Sequence, residues 1–282
     1  MKVVLFCGGQ GVRMREVSAR VPKPLIPVGN APILLHIMAW YAFHGHRDFI
    51  ICLGHQGDVI RRYFEDGTYP VEAGLIGAAR PIGLPTTTPA DWTITFAETG
   101  IVGPHGQPVT IGERLLAARP LLEDDEYFLA SYGDALTDAP LPTMIAALRD
   151  AGMTASFVCA RPTYSFHVVE FIPGGGGRVG DIRPVATNTW INGGYFVLQR
   201  RIFDDLHPGD ELVEAPFRRL IARGQLLGHE HDGFWAPMDT LKDRQHLEAL
   251  VATGAPPWAG WRAGASPPWA APGTVPAAAV EG

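Results

Sequence analysis

The sequence predicts an α/β fold, a mainly parallel, mixed sheet flanked by helices. Two observations lead to this class. Short apolar runs that end at turn residues recur along the chain and are typical of buried strands. Segments with apolar residues at helical spacing lie between them. Strands that alternate with helices in this way form parallel sheets whose two faces are both covered.

The first predicted strand is residues 2–7 (KVVLFC), an apolar run that stops at a glycine. Further strands are predicted at Asp48–Leu53, Trp92–Phe96, Tyr127–Tyr132, Thr154–Ala160, Ser165–Ile172, Gly180–Ile182 and Trp190–Leu198. Helices are predicted at Pro32–His44, Gly57–Glu65, Glu113–Ala118, Leu141–Asp150, Glu211–Ala222 and Leu241–Ala252. Asn30 and Pro32 are the start signals of the first helix.

Composition narrows the class of protein. The 282 residues carry a net charge of −6, whereas a nucleic-acid binder usually shows a basic stripe, so we expect no nucleic-acid partner. No apolar run reaches the length of a membrane span, and the first residues form a strand instead of a signal peptide. Cys7, Cys52 and Cys159 are far apart and odd in number, which favours buried thiols in a reducing cytoplasm.

The composition changes near residue 255. Alanine, proline and glycine supply 19 of the last 28 residues. Such a segment buries too little apolar surface to offset its ordering entropy, so we expect residues 255–282 to be a mobile tail.

A glycine-rich loop follows the first strand, in the stretch FCGGQGVRMREVSARVPKPL at residues 6–25. Bare backbone N–H groups in such a loop can approach phosphate oxygens closely. The dinucleotide-binding pattern fails because Met14 stands where its third glycine belongs. The Walker pattern fails because Val12 and Arg13 replace its Gly-Lys pair. Taken alone, the loop is equally compatible with a tight turn.

Three basic residues, Arg13, Arg15 and Lys23, lie within eleven positions of one another in an acidic protein. Pro22 and Pro24 fix the backbone on either side of Lys23 and limit where its ammonium can go. The alternative, solvated charges that serve solubility alone, would not need this constraint.

Two aspartates are candidate metal ligands. Asp134 follows a buried strand directly, at the edge of a parallel sheet where ligands bind. A carboxylate there, opposite a phosphate loop, suits Mg²⁺. Asp239 precedes the last predicted helix, and its local sequence alone favours a simple N-cap over a metal ligand. Asp138 is the better candidate for capping the helix at Leu141–Asp150.

Several longer pieces carry a resemblance to a known family. They are GGQGVRMRE…PKPLIPVGNAPILLHIM, DFIICLGHQGDVIRRYF, WTITFAETG, YGDALTD, WINGGYFVL and HDGFWAPMDTLKDRQHLEAL. In this order and spacing they resemble the sugar-phosphate nucleotidyltransferases, and WINGG with DGFWAPMDT is most similar to the glucose-1-phosphate cytidylyltransferases. The resemblance covers the chain to about residue 250.

This resemblance implies a Rossmann-like nucleotidyltransferase domain that uses Mg²⁺ to convert CTP and glucose 1-phosphate into CDP-glucose and pyrophosphate. By position, Arg13 would hold the departing pyrophosphate and Lys23 would bridge the reacting phosphates. Asp134 and Asp239 would hold the metal. A single domain would span residues 1–254, with a nucleotide-binding part to about residue 135 and a sugar-phosphate part after it. Self-association into a homo-oligomer is also implied.

The resemblance assigns binding residues as well. Nucleotide contacts fall on Gly8, Gly9, Gly11, Arg13, Lys23 and Arg114. Sugar-phosphate contacts fall on Arg183, Asn192 and Gly193. The ten histidines, His229 and His231 among them, have no catalytic role in this scheme, because a phosphate monoester is already mostly ionised near neutral pH.

Three positions differ from the family pattern: Val12, Ala135 and the segment Ile182-Arg183-Pro184, where the family carries Glu-Lys-Pro. Arginine is not equivalent to lysine at a phosphate site. Another NTP (UTP, dTTP, GTP or ATP) or another sugar or cyclitol phosphate therefore stays open. So does a regulatory subunit that binds a nucleotide sugar without turnover.

Overall fold

The computed structural model describes residues 1–9, 21–29, 31–67, 89–103, 106–163, 166–185 and 189–259. Its strands are β1 (Val3–Phe6), β2 (Pro27–Val28), β3 (Ala31–Pro32), β4 (Asp48–Leu53), β5 (Thr93–Glu98), β6 (Tyr127–Tyr132), β7 (Ala135–Thr137), β8 (Ala155–Ala160), β9 (His167–Phe171), β10 (Val179–Pro184), β11 (Ile191–Gln199), β12 (Leu226–His231) and β13 (Trp235–Pro237). The α-helices are α1 (Ile33–Phe43), α2 (Gly57–Asp66), α3 (Ile111–Ala118), α4 (Leu141–Ala151), α5 (Ala215–Ala222) and α6 (Leu241–Ala252).

Within these residues, seven strands form one sheet in the order β12-β8-β11-β6-β1-β4-β5. β1 pairs in parallel with β4 and β6, and β4–β5 and β8–β12 are parallel as well. Strand β11 runs antiparallel to both of its neighbours, β6 and β8. The predicted mixed, mainly parallel sheet is confirmed.

The core lies on both faces of the sheet. Along β1, Val3 and Leu5 belong to one buried cluster, and Val4 and Phe6 belong to the other. This alternation follows from the two-residue period of a strand. Helix α1 belongs to the first cluster, and ten of its eleven residues are buried, which explains its apolar sequence ILLHIMAWYAF.

Two helices begin at capping boxes, at Thr110 with Glu113 and at Thr240 with Asp243. Helix α5 begins at Ala215, four residues after the predicted start. Pro216 stands in its first turn, the position at which a residue without an N–H fits a helix. Among the described residues, no helix is both long and apolar enough to cross a lipid bilayer.

Predicted and observed elements agree closely. Strands β4 and β6 and helix α6 have the predicted bounds, and most others differ by one to three residues at an end. Strand β12 and the short β2, β3, β7 and β13 were not predicted. Asn30 and residues 164–165 lie outside the described residues, so that helix signal and the predicted strand start at Ser165 are not seen.

The described residues of the predicted tail include one buried side chain, and the mobility of the tail stays a prediction. Trp258 is 1% exposed, and its indole N–H donates to His36 Nδ1 at 3.2 Å. Its ring also packs on Phe234. Residues 260–282 lie outside the described part of the chain. The division of residues 1–254 into two parts stays a prediction, although residues from both parts, such as Leu5 and Val197, share one core cluster.

Candidate active site

A cavity of about 540 Å³ opens beside the carboxyl ends of β1 and β6. Cys7 follows β1, and Gly133 and Asp134 follow β6. In open parallel sheets this edge is where ligands bind, because loops from neighbouring strands meet there. Predicted site residues that line the cavity are Gly9, Lys23, Arg114, Asp134, Asn192 and Asp239.

Lys23 is the centre of the site. Its Nζ donates to Asp134 Oδ2 at 2.7 Å and to Asp239 Oδ1 at 2.6 Å. The lysine begins a single 3-10 turn (Lys23–Leu25) that holds Pro24 in its first positions, so the backbone direction is fixed beside the cavity. The structure thus brings Lys23 together with one aspartate 111 positions later and another 216 positions later.

Burial and charge act in opposite directions on Lys23. Burial alone would lower the pKa of its ammonium. The charge and hydrogen bond of Asp134, together with those of Asp239, outweigh burial and raise that pKa above its ordinary value. Lys23 is therefore fixed in its cationic form at neutral pH.

Asp239 is not a helix cap. Thr240 caps α6 through its side chain, and the Asp239 side chain turns instead to Lys23. The short antiparallel pair β7–β13 holds it near Asp134, and the Met238 N–H donates to the Asp134 carbonyl at 2.8 Å.

Asp138 does not cap α4 either. Pro140 occupies that N-cap position without a side-chain hydrogen bond. Asp138 Oδ1 accepts instead from the Phe234 N–H at 2.7 Å, and it lies 2.7 Å from His231 Nε2. The carboxylate therefore fastens the loop before β13.

Arg114 interlocks with the glycine loop. Its Nη2 donates to the Gly8 carbonyl at 2.9 Å, and its Nη1 donates to Thr99 Oγ1. A Cβ on Gly8 would lie 1.7 Å from Arg114 Nη1, and one on Gly54 would lie 2.6 Å from the same atom. Both glycines are thus needed for this packing. Burial lowers the pKa of the Arg114 guanidinium, although arginine stays charged in proteins.

Asn192 and Gly193 lie at the bend of β11. Asn192 Nδ2 donates to the Tyr132 hydroxyl at 3.1 Å, and Asn192 Oδ1 accepts from the Gly194 N–H at 3.0 Å. The Gly193 carbonyl accepts from Trp235 Nε1 at 2.8 Å. The amide of Asn192 thus orients Tyr132, and the Gly193 carbonyl holds Trp235 at the cavity wall.

The structure does not bring Arg183 to the cavity lining. Arg183 lies on the β9–β10 hairpin, with Nη2 2.5 Å from Glu170 Oε1 and Nη1 2.8 Å from Asp181 Oδ2. Its contact with a sugar phosphate stays a prediction. Gly11, Arg13 and Arg15 lie outside the described residues.

Sequence reasoning missed several cavity residues. Tyr132 is the first residue of the quoted motif YGD, and Trp235 is the last residue of DGFW. Membership in these motifs was the available signal, although neither residue was predicted to be a site residue. Glu211 also lines the cavity, and burial raises the pKa of its carboxyl. It was predicted only as the first residue of a helix, and no local pattern marks it as a site residue.

The sheet edge, the cationic lysine and the two converging carboxylates fit an α/β enzyme that binds phosphate groups together with a metal ion. Residues 2–236 match the family model of the nucleotidyl transferases, and the chain belongs to that family.

Individual proteins are similar to this chain in sequence or in structure. The chain is 34% identical over 263 residues to the glucose-1-phosphate cytidylyltransferase of Salmonella typhi, across 93% of this chain and 100% of that protein. It is 24% identical over 254 residues to the mannose-1-phosphate guanyltransferase of Emericella nidulans, across 86% and 62%. A solved structure assigned as a glucose-1-phosphate thymidylyltransferase of Bacillus anthracis has the same fold, with a TM-score of 0.63 at 16% identity over 89% of this chain and 95% of that one.

Proposed function

We propose that this enzyme transfers a cytidylyl group from CTP to glucose 1-phosphate and releases pyrophosphate. The observation that carries the proposal is the convergence of Lys23, Asp134 and Asp239 in one cavity at the sheet edge. The similarity to cytidylyltransferases over nearly the whole chain supports the choice of CTP and glucose 1-phosphate.

The reaction requires two polyanions to meet. The attacking group is an oxygen of the sugar phosphate, which is mostly ionised near neutral pH, so no general base is required. The barrier is electrostatic, and fixed positive charge beside the phosphates lowers it. The Lys23 ammonium supplies such charge, and its stem holds it at the carboxyl edge of β1 and β6. In this scheme Arg13 stabilises the departing pyrophosphate.

The two aspartates fit a magnesium ion. Their oxygens converge within 2.7 Å of one cation, the Lys23 ammonium, which marks a point where positive charge is stabilised. Mg²⁺ in proteins typically takes one or two carboxylates and completes its shell with substrate phosphates and water. When bound, Mg²⁺ would neutralise phosphate charge and align the phosphates. Among the described residues, no three His, Cys, Asp or Glu side chains cluster as an all-protein metal site.

The glycine loop and Arg114 are proposed to form the nucleotide subsite. Arg114 is fixed by Gly8 and Thr99, so it presents a preorganised cation with little entropy left to lose. Gly9 is exposed at the cavity and leaves room for a ligand next to its backbone. Asn192 lines the same cavity from β11, which β6 separates from β1, and we place the sugar phosphate there.

A substrate matrix tests the proposal. Pyrophosphate release is measured for CTP, UTP, dTTP, GTP and ATP, each with glucose, galactose, mannose and inositol 1-phosphates, with and without Mg²⁺. We expect the highest kcat/KM for CTP with glucose 1-phosphate and no turnover without a divalent ion. A preference for another pair would replace the substrate assignment and leave the reaction class intact.

The Asp134→Ala variant decides between an enzyme and a regulatory subunit that only binds a nucleotide sugar. We expect it to abolish turnover while Glu214→Ala, which alters an exposed carboxylate away from the cavity, keeps it. Wild-type protein that binds CDP-glucose and shows no turnover with any pair would favour the regulatory subunit. The cytoplasmic location and the homo-oligomer stay predictions, and sedimentation velocity tests the latter.

A further inference from the structure

Helix α6 begins two residues after Asp239, and its first turn fixes the backbone of that aspartate. The Asp243 carboxylate accepts from the Asp239 N–H at 3.0 Å and from the Thr240 N–H at 2.8 Å. The Thr240 hydroxyl accepts in return from the Asp243 N–H at 3.2 Å. A capping box of this kind gives partners to amide groups that the helix leaves free and defines where the helix begins. The position of the Asp239 backbone is therefore set by α6.

The next side chain of the helix reaches the segment that carries Lys23. Arg244 Nε donates to the Pro27 carbonyl at 3.2 Å, four residues after Lys23, and Arg244 Nη2 donates to Glu248 Oε1 at 2.7 Å. The Arg244 side chain is 13% exposed, so it is largely shielded from water. Glu248 lies one helical turn later and holds the guanidinium. Two consecutive side chains, Asp243 and Arg244, thus hold the segments that supply the aspartate and the lysine.

The segment between Lys23 and the Pro27 carbonyl is closely packed. Strand β2 begins at Pro27, two residues after the 3-10 turn ends, and residues 24–28 are all buried. The turn between β2 and β3 also lies close to α6, because a Cβ on Gly29 would lie 2.6 Å from Val251 Cγ1. A displacement at Pro27 is therefore transmitted to Lys23, since close-packed interiors transmit strain.

The direct contact between Lys23 and Asp239 cannot set their spacing during the reaction. Their side chains lie 2.6 Å apart in this structure. Under the proposed function, the ammonium turns to the phosphates and the carboxylate turns to magnesium, so this contact weakens when the spacing matters most. The hydrogen bond from Arg244 to Pro27 involves neither group and is kept. A misplacement of about 1 Å in a reacting site can cost about a hundredfold in rate.

We propose that Arg244 is a positioning residue that fixes the spacing of Lys23 and Asp239 through the Pro27 carbonyl. Arg244 is not among the residues that line the cavity, so it acts through the lysine segment and not on a substrate. A carbonyl needs one donor, which a lysine can also supply and a methionine cannot. The inference rests on the proposed function and adds a residue outside the cavity to its machinery.

The test compares Arg244→Met, Arg244→Lys and Arg62→Met, each assayed well below its melting temperature. Arg62 is the matched control, because it also lies on a helix and pairs with a carboxylate four residues away, Asp58, outside the cavity lining. We expect Arg244→Met to lower kcat about tenfold to a hundredfold while the KM values for CTP and glucose 1-phosphate change by about threefold or less. Arg244→Lys should recover most of this loss, and Arg62→Met should behave as wild type.

A second measurement uses the protein without substrates or metal. Deuterium uptake of a peptide that covers residues 21–28 is followed by mass spectrometry, with strand β6 as the internal reference. We expect uptake about tenfold faster in Arg244→Met than in wild type, because a hydrogen bond that holds this segment has been removed. Uptake in Arg62→Met should equal that of wild type. Equal uptake in Arg244→Met and wild type would overturn the proposal.

The double variant Lys23→Met with Arg244→Met separates positioning from a general loss of structure. Once the lysine is absent, the Arg244 substitution should cost about twofold or less in the remaining turnover. A further loss as large as in the wild-type background, or an unchanged kcat in Arg244→Met, would overturn the proposal. Absence of wild-type turnover with any NTP and sugar phosphate would refute the proposed function itself, whereas deuterium uptake still reports on the contact between Arg244 and Pro27.

Discussion

Lys23→Met tests the central geometry of the site. The substitution keeps an unbranched side chain and removes the only positive charge within hydrogen-bond reach of both Asp134 and Asp239 in the described residues. Each Nζ–carboxylate contact is worth about 6 kcal/mol at an effective dielectric constant of 20, before desolvation is counted. Removing one partner of a buried pair usually costs about 3–5 kcal/mol.

Solvent reduces this figure here. The Asp134 side chain is 33% exposed, whereas the Lys23 and Asp239 side chains are 11% and 18% exposed. We therefore expect Lys23→Met to lower the free energy of unfolding by about 2–4 kcal/mol in metal-free buffer. The melting temperature should fall by roughly 5–10 °C. The loss of an electrostatic donor should reduce kcat/KM about a hundredfold or more.

Two further variants make the result decisive. Lys2→Met removes a lysine whose Nζ lies 3.0 Å from Asp125 and outside the cavity lining, so its stability should change by about 1 kcal/mol or less and its turnover should stay near wild type. Lys23→Met with Asp239→Asn neutralises one of the two carboxylates that lose the lysine and leaves Asp134 charged, so stability should recover in part while activity stays lost. Urea denaturation and pyrophosphate release measure the two quantities. Wild-type stability and turnover in Lys23→Met, or no recovery in the double variant, would refute the reasoning.

Three further predictions concern groups around the site. Arg114→Lys keeps the positive charge but loses the planar guanidinium that joins Gly8 to Thr99. We expect kcat/KM for CTP to fall about tenfold while the KM for the sugar phosphate stays unchanged. A variant whose main change is a raised KM for the sugar phosphate would contradict this. His36 is buried and its pKa is lowered to about 4, mainly by burial. In the unfolded chain, His36 binds a proton at the ordinary pKa of 6.5. The contribution of neutral His36 to the free energy of unfolding is therefore complete above pH 6.5. It is lost as the pH falls toward 4, by about 3 kcal/mol in total. Acid titration of wild type against His36→Gln measures it, and superimposable curves would contradict it. A chain that ends at residue 259 should have the same melting temperature as the full chain. A chain that ends at residue 257 lacks Trp258, and its free energy of unfolding should be lower by about 3 kcal/mol. Equal melting temperatures for the two truncated chains would show that Trp258 does not anchor the segment.

Much of the fold could be predicted because its central strands carry a strong local signal. Strands β4 and β6 are continuous apolar runs with clear ends, and a parallel sheet leaves few alternatives for them. The antiparallel direction of β11 could not be predicted from its sequence, because an apolar run is equally compatible with a parallel and an antiparallel strand. Strand β12 was missed because LLGHEH has only two apolar side chains and none of its residues is buried, as is common at a sheet edge.

The site was partly predictable for a similar reason. Asp134 stands at a strand end and Lys23 between prolines, and both features are local. Asp239 could have been a cap by local sequence, and the partner that gives it another role is 216 positions away. Glu211 and Gly54 matter only through close approaches of distant segments, and single-sequence patterns do not report such approaches. Single-sequence patterns also do not report that Arg183 forms ion pairs within its own hairpin.

The separation of the central residues along the chain has a consequence for synthesis. A ribosome that adds about 5–20 residues per second delivers Lys23 roughly 10–45 s before Asp239, which is 216 positions later. During this interval the emerging lysine lacks both carboxylate partners until Asp134 is added, 111 positions after it, and then lacks Asp239. If Lys23 and Asp239 act as proposed, the nascent protein gains catalytic competence only after Asp239 has been translated, however early its first strands begin to pair.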